Sequence, residues 1–170
     1  FHSVDASEHD ILIASFNELS IDGVLHQRHP TNPCVKLADL KSGRFQTPGP
    51  HWLGGMPCHQ AILMRRPWCQ RFPFDLDMRI SADWLQLFEA NHAGARVGMS
   101  PTVLSWYPNG GYSFDNSQYW IENVIEIAKR FQPDHTAVDR YFAGALAEHT
   151  AMTQERKHQK LALQRWYPLN

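Results

Sequence analysis

The chain has 170 residues, of which 43% are hydrophobic and 19% charged, with a formal net charge of −1, enough for one domain around a buried core. So small a charge creates no field that would gather nucleic acid, and no apolar run approaches the roughly 20 residues that span a bilayer. The opening Phe1-His2-Ser3-Val4-Asp5 has neither the basic nor the apolar region of a secretory signal, and without an initiating methionine it suggests a processed product or a fragment.

Residues Asp10 to Phe16 form a β-branched apolar run, predicted as a buried strand. A turn-rich break is expected from Asn17 to Asp22-Gly23, after which Val24-Leu25-His26 returns as the second arm of a hairpin at a sheet edge. Between His29 and Pro50 four prolines interrupt any periodicity, so a long loop is expected with at most one helical turn near Val35 to Ala38. Gln60 to Arg65 reads as a second buried strand, stopped by Arg66-Pro67. Ser81 is an expected N-cap for a helix over Ala82 to Ala93, apolar at Trp84, Leu85, Leu87 and Phe88 and closed by Gly94. Arg96 to Met99 and Thr102 to Tyr107 read as two strand pieces around Pro101, followed by a tight turn at Pro108-Asn109-Gly110-Gly111. A helix capped by Asn116 or Ser117 runs to Phe131 with Trp120, Val124, Ile127 and Phe131 on one face. After the Pro133-Asp134 break, a longer helix is expected from about Thr136 to Leu163.

Three cysteines, Cys34, Cys58 and Cys69, are odd in number and share no CxxC spacing, which points to reduced thiols and a cytoplasmic protein. Ten histidines raise the question of a metal, but neither His26 with His29 nor Cys58-His59 with Cys69 has the paired spacing of a zinc module. No metal ligands are therefore assigned.

Asp83 is the strongest candidate for chemistry. A carboxylate in the first turn of a helix faces unsatisfied N–H groups and the positive end of the dipole, which favours the ionised form a general base requires. The plainer reading gives Asp83 only a helix-stabilising role of about 0.3–1 kcal/mol. Asp75 and Asp77 flank Leu76. Asp75 reads as a turn former and Asp77 as a weaker binding candidate. His59 and Gln60 precede a strand at what should be a sheet end, where α/β folds collect ligand-binding groups. Trp84, Trp106, Tyr107 and Tyr112 could wall a sugar ring or simply fill a core. Gly110 and Gly111 allow close backbone approach to a ligand, or merely a turn.

In order, His59-Gln60-Ala61, Arg65-Arg66, Phe74-Asp75, Ala82-Asp83-Trp84 and Gly110-Gly111-Tyr112-Ser113 resemble the acceptor-side half of family-2 glycosyltransferases with the GT-A fold, in the branch that builds bacterial polysaccharides such as capsule and lipopolysaccharide. The resemblance covers about residues 10 to 115. It implies an α/β fold, the C-terminal part of a GT-A-like mixed sheet flanked by helices, with residues 116–170 as a helical C-terminal extension. It implies inverting transfer of a sugar from a nucleotide-sugar donor to a saccharide or lipid-linked acceptor, with Asp83 as base. His59, Gln60, Asp77, Trp84, Gly110, Gly111 and Tyr112 would bind substrate. No Asp-x-Asp motif follows a strand near the N-terminus, so the divalent metal (Mn or Mg) and the donor diphosphate are expected in a nucleotide-binding N-terminal half or a partner chain. The basic and aromatic tail (Arg156, Lys157, Lys160, Arg165, Trp166 and Tyr167) offers a peripheral contact with the inner face of a membrane, or is a solvated helix end. The alternative reading is a non-catalytic carbohydrate-binding or protein-interaction domain.

Overall fold

In the computed structural model, which describes residues 8–20, 23–30, 32–44, 57–108, 117–144 and 147, strand β1 (Ile11–Leu19) is the axis of a four-stranded sheet. β1 meets β2 (Leu25–Arg28) antiparallel through its second half and β3 (Ile62–Met64) antiparallel through Ile11 to Ile13. β4 (Val97–Pro108) pairs with β1 in parallel over its whole length. A strand has only two edges, so β2 and β3 share one edge of β1 and β4 takes the other. The sheet is mixed, as expected.

β1 runs past the turn expected at Asn17. Asn17, Glu18 and Leu19 are held on both sides, by Gln27, His26 and Leu25 of β2 and by Trp106, Tyr107 and Pro108 of β4. The reversal comes later and is tighter: Ser20 N–H and Oγ both donate to the Val24 carbonyl, at 2.9 and 2.8 Å. Gly23 supplies the left-handed backbone, φ 81°, that this turn demands. The hairpin itself is present. β4 is likewise one strand rather than two pieces: its register against β1 slips between Ala14 and Ser15 and again between Ser15 and Phe16. These irregularities absorb Pro101, which has no N–H for the ladder.

The span read as loop after His29 contains a full helix, α1 (Pro33–Ser42). Asn32 Oδ1 accepts from Cys34 N–H at 2.9 Å, Pro33 opens the first turn, and Gly43 closes the helix at φ 74°. The strand expected over Gln60 to Arg65 is also shorter and more open. His59–Ala61 is a 3₁₀ turn, only Ile62–Met64 is strand, and Leu63 is 54% exposed. As half of an edge it has one covered face. Arg66-Pro67 starts a short helix, α2 (Arg66–Arg71), because proline is well placed in a first turn whose N–H groups lack partners anyway.

Helix α3 (Ala82–His92) joins the layers. Its Leu87 and Ala90 pack with Ala95 on Ile11 and Ile13 of the sheet. Its Leu85 and Phe88 pack on Leu37 of α1, Met78 and Ile127 of α4 (Ser117–Phe131). Val124 and Ala128 of α4 join Leu40 of α1 and Val138 and Phe142 of a last helical segment over residues 135–144. The expected helix to Leu163 is present over these residues; apart from helical Ala147, its remainder lies outside the described residues.

Two polar contacts, one part-buried and one exposed, fix the approach to α3. Asn123 of α4 accepts the Ile80 N–H at 3.1 Å, and Arg130 donates to Asp75 Oδ2 at 2.7 Å. The segment from residue 75 to residue 80 is thereby pinned to α4 just before α3 begins.

Candidate functional site

Asp83 sits in the first turn of α3 with its side chain 22% exposed. Oδ1 accepts the Trp84 N–H at 2.9 Å, and Oδ2 lies 3.8 Å from Nδ1 of His59. That spacing is close enough for charge attraction when the imidazole is protonated but too long for a direct hydrogen bond. The 3₁₀ turn at His59–Ala61, feeding β3, puts the imidazole beside the start of α3.

Both side chains line an open cleft of about 630 Å³. Phe16 and Glu18 of β1 and Tyr107 of β4 form one wall; Gln27 and Arg28 of β2, with His29 and Pro30 beyond it, form a second. Pro57 and Cys58 precede His59 in the rim, and Ile80, Ser81 and Trp84 flank Asp83. The Phe16 and Tyr107 rings meet edge to face, centroids 6.4 Å apart at 89°, an arrangement their quadrupoles favour. Glu18 is ion-paired with Arg28 across the hairpin. His59 and Asp83 also border a second cavity of about 320 Å³, floored by Ile62, Met64 and Leu87. The pair therefore stands where two cavities meet.

Burial pushes the Asp83 carboxyl up from the ordinary carboxylate range; the Trp84 N–H and the charge of His59 pull the other way without cancelling it. This corrects the expectation that the helix start alone governs the group. Desolvation outweighs the helix N–H groups, and the resulting carboxylate is the stronger base for it. The same negative neighbourhood reaches Cys58 and Tyr107. Burial, then nearby carboxylates, raises the Cys58 thiol, and burial together with Cys58, Glu18 and Asp83 raises the Tyr107 phenol. Cys58 Sγ–H donates to Gln60 Oε1 at 3.4 Å. A thiol so held is not a thiolate nucleophile. Ser15 Oγ is hydrogen-bonded with His29 Nδ1 at 2.8 Å, but Ser15 is 1% exposed, so no substrate can reach it for nucleophilic attack.

Of the residues singled out in the sequence, Asp83, His59, Trp84 and Tyr107 come together, while Trp106 is exposed and lines neither cavity. Trp84 also packs against the buried clusters around Leu40 and Leu37, so it serves wall and core at once. Gln60 is exposed and outside both cavities. Asp77 also lies apart from them, exposed in a turn where its N–H donates to Asp75 Oδ1 at 3.0 Å. Asp75 has the turn role expected of it, and the Arg130 guanidinium holds its carboxyl below the usual range. Gly110, Gly111 and Tyr112 lie outside the described residues. Glu18, His29 and Ser81 were not singled out as cleft residues. Glu18 and His29 are brought there by strand pairing across the hairpin, for which a linear reading has no signal; Ser81 was visible only as a cap.

Among the described residues, no group of three or more His, Cys, Asp or Glu is placed to hold a metal ion. No helix among them is long and apolar enough to cross a membrane. Comparison with protein-family models, curated proteins and solved structures found no match.

Proposed function

We propose that this chain carries the acceptor-side, catalytic-base part of an inverting glycosyltransferase of GT-A type, using a nucleotide-sugar donor and a saccharide or lipid-linked acceptor. The observation that carries this reading is the carboxylate of Asp83, 3.8 Å from His59, at the junction of two cavities. A transferase needs a proton acceptor where two substrates meet, and a partly buried carboxylate with a raised pKa suits that task. Asp83 takes the proton of the acceptor hydroxyl as its oxygen attacks the anomeric carbon of the donor. The bond from that carbon to the nucleoside diphosphate breaks on the opposite face, and the configuration inverts.

His59 keeps a polar, chargeable neighbour beside the carboxylate, and Trp84 and Tyr107 give the apolar faces of a sugar a surface to stack on. A nucleotide-binding half, outside the residues described, supplies the donor diphosphate site and its divalent cation on this reading, and the reaction runs on the cytoplasmic side. The test is a screen of nucleotide-sugar donors against the complete enzyme with manganese or magnesium, the product anomer being read by proton NMR. Transfer with inversion is expected. A complete enzyme that binds saccharide yet turns over no donor makes the cleft a non-catalytic carbohydrate-binding site instead.

A further inference from the structure

Arg28 is the cleft residue to which the base assignment gives no task. In the register of the sheet Phe16 pairs with Arg28 and Glu18 with Tyr107. Paired residues share a face, as do residues two apart on one strand. These four side chains therefore lie on the sheet face that walls the cleft of about 630 Å³. Arg28 Nε donates to Glu18 Oε2 at 2.5 Å, and the arginine side chain stays 53% exposed. Its two Nη groups have no partner among the described residues. A solvent-accessible guanidinium thus stands on the cleft wall with only its Nε engaged.

The ion pair orients the guanidinium without consuming it. A long side chain loses rotamer freedom when it binds, which weakens most surface ion pairs. Here Glu18, on the neighbouring strand, already holds Nε, so part of that ordering precedes the ligand. The planar group then offers N–H bonds that match the oxygens of a carboxylate or a phosphate. Glu18 cancels part of the long-range attraction for an anion, so discrimination comes from this geometry at contact. Asp83 sorts the orientation. When ionised it repels a second anion, so an acidic group lies towards Arg28 while an uncharged hydroxyl meets Asp83. Phe16 and Tyr107 share the wall with Arg28, and their rings offer the apolar face of a sugar a surface.

We infer that the cleft takes a saccharide carrying an acidic group, a carboxylate or a phosphate, and that the Nη groups of Arg28 bind that group. The inference rests on the saccharide reading of the cleft and adds to it the class of sugar and the residue that selects it. A neutral sugar leaves the Nη groups to water, whereas an acidic one replaces that water with charge-assisted hydrogen bonds.

The experiment titrates D-glucuronate, D-galacturonate and D-glucose 6-phosphate into this chain beside the neutral parents D-glucose and D-galactose, followed by protein NMR. Acetate and inorganic phosphate are the controls without a ring. The proteins are the wild type, Arg28→Gln and Glu18→Gln. In the wild type at least one acid should bind about ten- to a hundredfold more tightly than its parent, the range of a hydrogen bond to a charged group; which acid does so tells carboxylate from phosphate. Arg28→Gln should keep the wild-type circular dichroism spectrum and bind acid and parent alike. Glutamine at position 18 keeps an oxygen for Nε and removes the competing charge, so Glu18→Gln should retain the preference or widen it. The inference is overturned if no acid is preferred, if the preference survives in Arg28→Gln, or if acetate or inorganic phosphate binds as tightly as the sugar acid. It is equally overturned if Glu18→Gln loses the preference as Arg28→Gln does, or if Arg28→Gln loses the native spectrum, since the pair would then only support the fold. Binding is measured without turnover, so its failure is separable from that of the transferase reading. Hexose binding with no preference for acids, in an enzyme that needs Asp83 for transfer, removes only this inference. An Arg28-dependent preference in a complete enzyme that transfers no sugar removes only the transferase.

Discussion

Replacing Asn123 by leucine tests how the fold holds the site. Asn123 is 9% exposed on α4, and its Oδ1 accepts the Ile80 N–H at 3.1 Å. Leucine has the same branched four-atom side chain, with bulkier ends and no acceptor, so the substitution strips the partner from a part-buried backbone donor without leaving a cavity. A buried donor left unpaired costs about 1–3 kcal/mol. For a domain of this size each kcal/mol lowers the melting temperature by roughly 2–4 °C, so the midpoint should fall by about 2–12 °C. Calorimetry or far-UV circular dichroism reads that shift. Glu126→Gln, on the same helix with its side chain 58% exposed, should stay within about 0.5 kcal/mol of the wild type. The second readout is catalytic. Residue 80 leads directly into Ser81 and Asp83, and a misplacement of about 1 Å at a reacting group can cost 10²-fold in rate. Asn123→Leu should therefore lower kcat of the complete enzyme, whereas Asn123→Asp, which keeps the accepting oxygen, should lose less of both. Wild-type melting by Asn123→Leu would mean that the Ile80 N–H finds other partners and that α4 does not set the start of α3.

Truncating Phe88, fully buried between α1, α3 and α4, to alanine should destabilise the fold by about 3–5 kcal/mol in denaturant titration; a loss under 1 kcal/mol would mean that this cluster is loosely packed. The pH dependence follows from Asp83, whose folded-state carboxyl lies above its unfolded value through burial. The folded state then binds the proton more tightly, so its stability rises as pH falls through the folded pKa towards the unfolded one. Asp83→Asn should accordingly equal or exceed the wild type in stability at neutral pH, with the difference shrinking in acid; the opposite trend would contradict the desolvation argument. Activity should run the other way and fall in acid as the base protonates. Cys58, its thiol raised by burial and nearby carboxylates, should react with iodoacetamide at neutral pH more slowly than free cysteine, as peptide mapping would show; faster alkylation would place a thiolate in the cleft.

Much of the scaffold was legible because it repeats a simple pattern. Ile11 and Ile13 alternate in a β-branched run, and Leu85, Leu87, Phe88, Val124 and Ile127 recur at helical spacing, so β1, α3 and α4 follow from periodicity. Prolines caused the main errors. Pro33 and Pro67 look like breakers in a linear reading, yet each opens a helix, and for α1 the signal is Asn32 before it and Gly43 after it. Strand lengths failed for a different reason. Neither the extension of β1 to Leu19 nor the brevity of β3 is set by local residues; both depend on which edge of β1 each partner occupies. The site divides along the same line. Asp83 and His59 are legible in short motifs and Trp84 and Tyr107 as candidate aromatic walls, whereas Glu18 and His29 gather there through the pairing of β1 with β2. Ser81 looks like a side-chain cap by residue type, but at φ −102° and ψ 27° its side chain makes no capping bond.

On the proposed reading the Asp83 carboxylate removes the acceptor proton. Asparagine at this position keeps an oxygen for the Trp84 N–H, so the helix start is preserved while the proton-accepting group is lost. The most direct measurement is initial-rate sugar transfer by the complete enzyme carrying Asp83→Asn, at saturating donor and acceptor. If Asp83 is the base, kcat falls by about 10²- to 10⁴-fold, the usual contribution of a general base, with an unchanged circular dichroism spectrum. Turnover within a few-fold of the wild type would contradict it.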